Sequence, residues 1–289
     1  MAVQLAHLPE VERISPAVIR ILGGNPGKFT LQGTNTYLLG TGPSRLLIDT
    51  GEGKPSWIAA LKRTLAEEKA TVTTALITHW HHDHTRGIPD LLEFSPGTKI
   101  HKNQPDAGQL DITDGQKFQV PGATVTAVHT PGHTIDHMTL VLEEEDAMFT
   151  GDNVLGHGTA VFEDLGTYIN SLEKMKTLFG GRAYPGHGPV IPEGPAKISE
   201  YIQHRRQREE QVMQTLRSKR ADVSATAGQG DSGAWTPMEL VRVIYSDVPE
   251  TLYPAAAGGV VQILQKLERE GKVSEQEGER WILNGRSPL

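Results

Sequence analysis

Between Thr78 and His84 the chain reads Thr-His-Trp-His-His-Asp-His, directly after the short apolar run Ala75–Ile77. A run of that polarity after a strand-like segment has to sit on a loop at a strand's end. Within it, His79, His81, Asp83 and His84 place three imidazoles and a carboxylate within six positions. Alternate residues of an extended chain face the same way, so His79 and His81 can grip one ion while Asp83 and His84 turn toward a second.

Three later segments have the same character. Thr130-Pro131-Gly132-His133-Thr134 puts a histidine on a tight turn after a strand ending at His129. Phe149-Thr150-Gly151-Asp152 puts a carboxylate at the end of another strand, and Tyr184-Pro185-Gly186-His187-Gly188 forms a third such turn. Glycine beside each lets the backbone approach an ion closely. Together these segments supply seven ligands, which suits two ions sharing Asp152. The chain has no cysteine, so disulfides, thiolate nucleophiles and thiolate metal sites are excluded together. Any metal is held by imidazole and carboxylate.

The 289 residues suffice for one large domain or one and a half. Strand-like runs at Thr36–Leu39, Arg45–Ile48, Ala75–Thr78, Val125–His129, Thr139–Leu142 and Ala147–Phe149 outnumber helices up to about residue 190. An amphipathic helix is expected over Pro55–Glu68, with Trp57, Ile58, Leu61 and Leu65 on one side, and another near Leu172–Phe179. The pattern predicts a β-rich α/β sandwich in place of a doubly wound sheet. A long polar helix follows over Lys197–Lys219, then a small-residue linker over Ala221–Ala234. Thr236-Pro237-Met238-Glu239 is a capping box opening a helix. Val260, Ile263, Leu264 and Leu267 mark another that stops at Gly271, and Val273 with Trp281-Ile282-Leu283 suggests a two-stranded wing. The expected domains are 1–195 and 196–289.

Net charge is −7, from 28 Lys+Arg against 35 Asp+Glu. That balance opposes bulk attraction to nucleic acid. No apolar run approaches the ~20 residues that cross a bilayer. The N-terminal stretch has neither a charged-then-apolar leader nor the arginine richness of a transit peptide, so the expected location is cytoplasmic, with no membrane partner.

These motifs resemble the metallo-β-lactamase superfamily: Asp49, the His79–His84 run, His133, Asp152 and His187 occur in that family's order. The resemblance implies an αββα sandwich with metals at one edge of its two sheets, followed here by a winged-helix-like end. It implies that His79, His81 and His133 hold a first ion and that Asp83, His84 and His187 hold a second. Asp152 would bridge them, and Asp49 would hydrogen-bond and orient the ligand loop. It also implies a bridging hydroxide as nucleophile, with Asp83 as the catalytic group that orients it and receives its proton. The cofactor expected is two divalent ions, zinc in the first place and manganese as the other candidate. Enzymes of the family that cleave β-lactams generally lack an aspartate at the bridging position, so Asp152 points to thioester or phosphodiester hydrolysis.

Arg86, where many relatives have glycine, is expected on the surface. His82 is expected not to ligate, and His129 and His137 to act structurally. The stretches Gly24–Tyr37 and His157–Asp164, with the C-terminal module, resemble the fungal lactamase-like thioesterases and the animal β-lactamase-like endoribonucleases. The first implies an acyl carrier protein or acyl thioester as partner and release of a polyketide chain; the second implies single-stranded RNA. The wording Gly-Asn-Pro-Gly-Lys-Phe, the negative charge and the 6% aromatic content favour the thioesterase. Other ester or lactam hydrolysis ranks below both. The arginines at 205, 206 and 208 read equally as a solvated helix face. A purely binding module would need no complete ligand set, and all seven positions are filled. Ala255–Glu270 carries few cations for a DNA-reading helix, so packing or pocket shaping is expected of it.

Overall fold

Short runs of β-branched and large apolar residues, interrupted by glycine and proline, build strands, several of which are buried on both sides. The computed structural model describes residues 5–218 and 233–285. One sheet has seven strands in chain order: β1 (Val11–Arg13), β2 (Val18–Leu22), β3 (Asn35–Leu39), β4 (Ser44–Ile48), β5 (Thr71–Ile77), β6 (Lys99–Lys102) and β7 (Leu110–Asp111). It is antiparallel from β1 to β4 and parallel from β4 onward. The second sheet joins β8 (Lys117–Val120), β9 (Ala123–His129), β10 (Met138–Leu142), β11 (Ala147–Gly151) and β12 (Ala183–Pro185).

Alternation decides what lies between the layers. Tyr37, Leu39, Leu46, Ile48 and Leu76 from the first sheet meet Val125, Ala127, Leu140 and Phe149 from the second in one buried cluster. The residues between them in sequence, Leu38, Leu47, Ala75 and Ile77, point the other way. They pack on Trp57, Leu61 and Leu65 of helix α1 (Pro55–Glu68), which keeps the expected bounds and stripe. Two short helices, α2 (His82–Thr85) and α3 (Ile88–Phe94), follow β5. Helix α4 (Leu165–Lys176) bonds the loops after β9 and β11, Ser171 donating to the Pro131 carbonyl and Tyr168 to that of Asn153. The layers are the expected αββα sandwich.

The strand pairing explains where a site can form. Parallel pairing of β4 with β5 sets Ile48 against Leu76, so Asp49 and Thr78 leave the sheet together. Parallel pairing of β11 with β12 sets Gly151 against Pro185, which brings Asp152 beside Gly186 and His187. The β9–β10 hairpin pairs His129 with Met138, so His133 lies on its connection. The two sheets meet at this edge through Met138 N–H to the Thr78 carbonyl (2.8 Å) and Asn35 N–H to that of Gly186 (2.7 Å).

Several boundaries differ from expectation. The helix placed over Leu172–Phe179 starts at Leu165 and ends at Lys176. Leu165, Tyr168, Ile169, Leu172 and Met175 all lie buried along it, a stripe masked in the sequence by Gly166 and Asn170, which are poor helix formers. The His79–His84 run is not all loop: His82–Thr85 form one helical turn, opened by the His84 N–H bond to the His81 carbonyl. Helix α5 runs over Gly194–Arg217, and the linker expected over Ala221–Ala234 falls, up to its last two residues, outside the described residues.

By compactness the chain divides into Met1–Glu163 with Thr167–Tyr201, and Asp164–Gly166 with Ile202–Leu289. The second unit contains helix α6 (Pro237–Ile244), opened by the Thr236–Glu239 capping box, and helix α7 (Tyr253–Arg269). The hairpin of β13 (Val273–Gln276) and β14 (Arg280–Leu283) completes it. Leu240, Val241, Val260, Ile263, Leu264, Leu267, Val273 and Trp281 are buried there. Among the described residues, no helix is long and apolar enough to cross a membrane.

Candidate metal centre

Asp49 holds the His79–His84 run by both ends. At 1% exposure, in the left-handed conformation (φ 57), it accepts the Thr78 N–H at 2.8 Å, the Thr78 hydroxyl at 2.9 Å and His84 Nδ1–H at 2.7 Å. This network assigns protons. With the Thr78 hydroxyl given to Asp49, His79 donates Nδ1–H to Thr78 Oγ1 (3.0 Å). His133 must donate its Nδ1–H to the Val161 carbonyl, at 2.7 Å. His79 and His133 therefore turn an unprotonated Nε2 into the site, and His84 turns its Nε2 toward Asp83 and Asp152, the arrangement that outer hydrogen bonds impose on metal-binding histidines.

Those nitrogens converge. His79 Nε2 and His133 Nε2 lie 2.9 and 3.0 Å from His81 Nδ1. With Asp152 they form one group whose ligand atoms all lie within 4.8 Å of one another, and Asp83, His84 and His187 form a second. Asp152 stands between the groups: Oδ2 is 3.7 Å from His133 Nε2 and 3.2 Å from His187 Nε2, while Oδ1 is 3.5 Å from His84 Nε2. Asp83 Oδ2 is 3.4 Å from His84 Nε2 and 3.2 Å from His187 Nε2.

The residues fit a pair of cations. Ring nitrogens of His79, His81 and His133 crowd together at 2.9 and 3.0 Å, and His84 Nε2 and Asp152 Oδ1 are buried with no hydrogen-bond partner. Buried polar atoms without partners are costly, and a cation bound between them removes that cost. The electrostatics agree. Burial, reinforced by the His84 imidazole, holds His79 well below the usual imidazole range, and burial with His133 lowers His81 as well. At His84 burial is overridden by the carboxylates of Asp49, Asp152 and Asp83, which hold it well above that range. His187 is likewise pushed up to about 9 against its burial, by Asp152 and Asp83. Asp83 and Asp152 are buried too, yet His84 and His187 hold both below the carboxylate range. One group thus holds unprotonated imidazoles, and in the other the carboxylates hold on His84 and His187 the protons that a cation would displace.

Glycine is required where the third turn meets the second. A side-chain carbon on Gly186 would lie 2.3 Å from Asp152 Oδ1. The buried His137 ring accepts the Asp152 N–H at 3.1 Å, a structural role as expected. His129 also acts structurally, its Nε2 lying 2.9 Å from the Ile135 carbonyl. His82 and Arg86 are exposed, outside both groups. Arg208 lies 4.5 Å over the Tyr245 ring, and none of the arginines at 205, 206 and 208 lines the cavity beside the metal-binding groups. In α7, Lys266 is neutralised by Glu209 (2.7 Å) and Glu270 (2.6 Å).

Sequence reasoning missed two contributors. Thr34, fully buried, donates its hydroxyl to Asp83 Oδ2 (3.1 Å) and accepts Asn25 Nδ2–H (3.0 Å). Its only signal was the density of turn residues over Gly24–Tyr37. His157 lines the cavity of about 320 Å³ that opens onto His81, Asp83, His133, Asp152 and His187.

Residues 29–187 match the model of the metallo-beta-lactamase superfamily, and residues 236–281 that of the beta-lactamase associated winged helix domain. The chain belongs to the metallo-β-lactamase superfamily. It is a hydrolase of that superfamily, with a site for divalent metal and a C-terminal winged helix domain. A curated relative, the lactamase-like protein adaB of Aspergillus niger, is 50% identical over 286 residues, covering 97% of this chain and 90% of its own. The atrochrysone carboxyl ACP thioesterase of Aspergillus chevalieri is 51% identical over 288 residues, 98% of this chain and 92% of its own. Among solved structures, a beta-lactamase domain protein from Burkholderia ambifaria superposes with TM-score 0.78 at 16% identity, covering 98% of this chain and 96% of that one. A metallo-beta-lactamase family protein from Thermus thermophilus gives 0.71 at 21%, covering 94% and 100%. These last two share the fold.

Proposed function

We propose that this chain hydrolyses an acyl thioester borne on an acyl carrier protein, releasing a polyketide acid. The observation that carries the reading is the 51% identity, along 98% of the chain, to a protein named an ACP thioesterase. The lining of the cavity supports it: Phe29, Leu31, Leu155, Ala160 and Val161 offer an apolar acyl group a surface next to the site.

In this reading His79, His81 and His133 hold one divalent ion, Asp83, His84 and His187 a second, and Asp152 both; zinc is the metal that imidazole and carboxylate suit best. When bound, such a pair supplies a Lewis acid for the thioester carbonyl and lowers the pKa of water toward ~7. Asp83 is the catalytic carboxylate: ionised, partly exposed to the cavity and fixed by the Thr34 hydroxyl, it orients the attacking water and accepts its proton. A thiolate is a good leaving group, so no strong acid is needed opposite it. In this reading residues 1–195 are the catalytic domain and residues 196–289 a helical extension with a winged-helix-like end.

The test pairs a generic acyl thioester with a labelled single-stranded RNA, each with and without chelator. Chelator-sensitive release of thiol with intact RNA is expected. Chelator-sensitive RNA cleavage with an intact thioester would replace the reading with the endoribonuclease one.

A further inference from the structure

One wall of the cavity takes no part in the two metal-binding groups. It is the tight turn closed by the Gly27 N–H bond to the Leu31 carbonyl (3.1 Å), and its residues Lys28, Phe29, Thr30 and Leu31 all line the cavity. Three features set this turn apart. Phe29 is 73% exposed, a large ring standing in solvent. Leu31 adopts φ 54, a left-handed backbone that a leucine rarely takes and that a surrounding structure must impose. Lys28 is the one lysine or arginine among the cavity's described lining residues. Its ammonium lies 5.4 Å over the Phe29 ring.

The imposing structure is visible at the base of the turn. Asn25, 6% exposed, accepts the Thr34 N–H through Oδ1 (2.9 Å) and donates Nδ2–H to Thr34 Oγ1 (3.0 Å). The Thr34 hydroxyl goes on to Asp83. The base of the turn is thus clamped to a carboxylate of the metal centre, which keeps the backbone carrying Lys28, Phe29 and Leu31 beside the cavity. A lone exposed phenylalanine is ordinary. Here an exposed ring, an imposed leucine and a cation lying over that ring share one turn and line one cavity.

We propose that this turn selects the substrate: Phe29 and Leu31 receive the apolar acyl group, and the Lys28 ammonium pairs with an anionic group carried by the same substrate. The proposal rests on the thioesterase reading. Two anions share the required chemistry, an acid group on the acyl chain and the phosphate of a pantetheine arm, and the choice between them is made by experiment.

The metal-loaded full chain and its Lys28→Gln, Lys28→Arg and Phe29→Ala variants are assayed on three matched aromatic thioesters. One is the neutral N-acetylcysteamine ester, one carries an added carboxylate on the acyl ring, and one carries the neutral acyl group on 4′-phosphopantetheine. Lys28→Gln is expected to raise KM about tenfold for one charged substrate, leaving kcat and the neutral substrate unchanged. Lys28→Arg should restore KM, and the difference should shrink in high salt. Which charged substrate responds identifies the anion. Phe29→Ala should raise KM for aromatic acyl groups by more than for an acetyl thioester, so that the aromatic-over-acetyl preference falls. Equal effects of Lys28→Gln on all three substrates, or none, overturn the anion assignment; an unchanged aromatic-over-acetyl preference in Phe29→Ala overturns the apolar one. Calorimetry with amide isosteres of the same compounds separates the two levels. If the wild type cleaves no thioester, the thioesterase reading fails by itself. The turn proposal then stands only if the charged amide binds and Lys28→Gln weakens it, and it falls if the amides do not bind.

Discussion

Replacing Asp49 by asparagine tests whether a single carboxylate sets the chemistry of the His79–His84 run. The substitution keeps shape, and asparagine tolerates the left-handed backbone that Asp49 adopts at φ 57, so the fold should persist. The amide oxygen can still accept the Thr78 N–H, now 2.8 Å from Oδ1. The amide nitrogen, however, replaces the oxygen that receives His84 Nδ1–H at 2.7 Å. Donor then faces donor in a site where His84 is fully buried. The imidazole can relieve the clash by moving its proton to Nε2, the atom that faces Asp83 at 3.4 Å and Asp152 at 3.5 Å. A protonated Nε2 cannot ligate. Loss of one charge-assisted hydrogen bond of this kind is worth about 1.5–3 kcal/mol, which is about 10- to 150-fold in affinity. Removal of a carboxylate behind a metal-binding histidine typically costs about 10- to 100-fold in metal affinity. Competition with a chromophoric chelator would measure it, with circular dichroism to confirm folding. A folded Asp49→Asn protein that keeps wild-type affinity for both ions would refute the tautomer control assigned to Asp49.

Gly186→Ala should lose metal, because the new methyl would crowd Asp152 Oδ1 at 2.3 Å; metal content by plasma emission checks this, and full occupancy would contradict it. Without metal, Asp152 and Asp83 push His187 up to about 9 against its burial, so a bound proton must leave before it ligates. Apparent metal affinity should therefore climb as pH rises toward about 9, with protons released on binding near pH 7; calorimetry in buffers of different ionisation enthalpy would expose a pH-independent affinity as the contrary result. Thr34→Val removes the donor to Asp83 and should lower kcat about fivefold or more with metal retained, a loss of about 1–3 kcal/mol; steady-state kinetics beside metal analysis decides. Deleting Thr236–Leu289 should change substrate preference or thermal stability and leave bound metal intact in a folded product; loss of metal there would count against the assigned division of labour.

Much of the centre was legible because its residues follow strands in a chemically unusual pattern. The His79–His84 run, His133, Asp152 and His187 each follow a strand, and the pairings of β4 with β5, β9 with β10 and β11 with β12 gather them at one edge. Strand β12 was not legible, since three residues ending in Pro185 carry almost no pattern. It survives as an edge strand, where proline's missing donor costs little. Helix α2 is one turn, too short for any periodicity. Thr34 was invisible for another reason: its importance lies in a contact with Asp83, 49 positions away, which only the folded chain reveals. The leucine at φ 54 likewise departs from local preference, in a turn that lines the cavity.

Titrating divalent zinc into chelator-stripped protein, while recording occupancy and thioester hydrolysis on the same sample, tests the central claim most directly. Activity should be absent at the start and rise to a plateau as occupancy reaches two ions per chain, one for each group of ligands. Full hydrolysis by stripped protein, or a plateau with no ion bound, would contradict a catalyst built from these imidazoles and carboxylates.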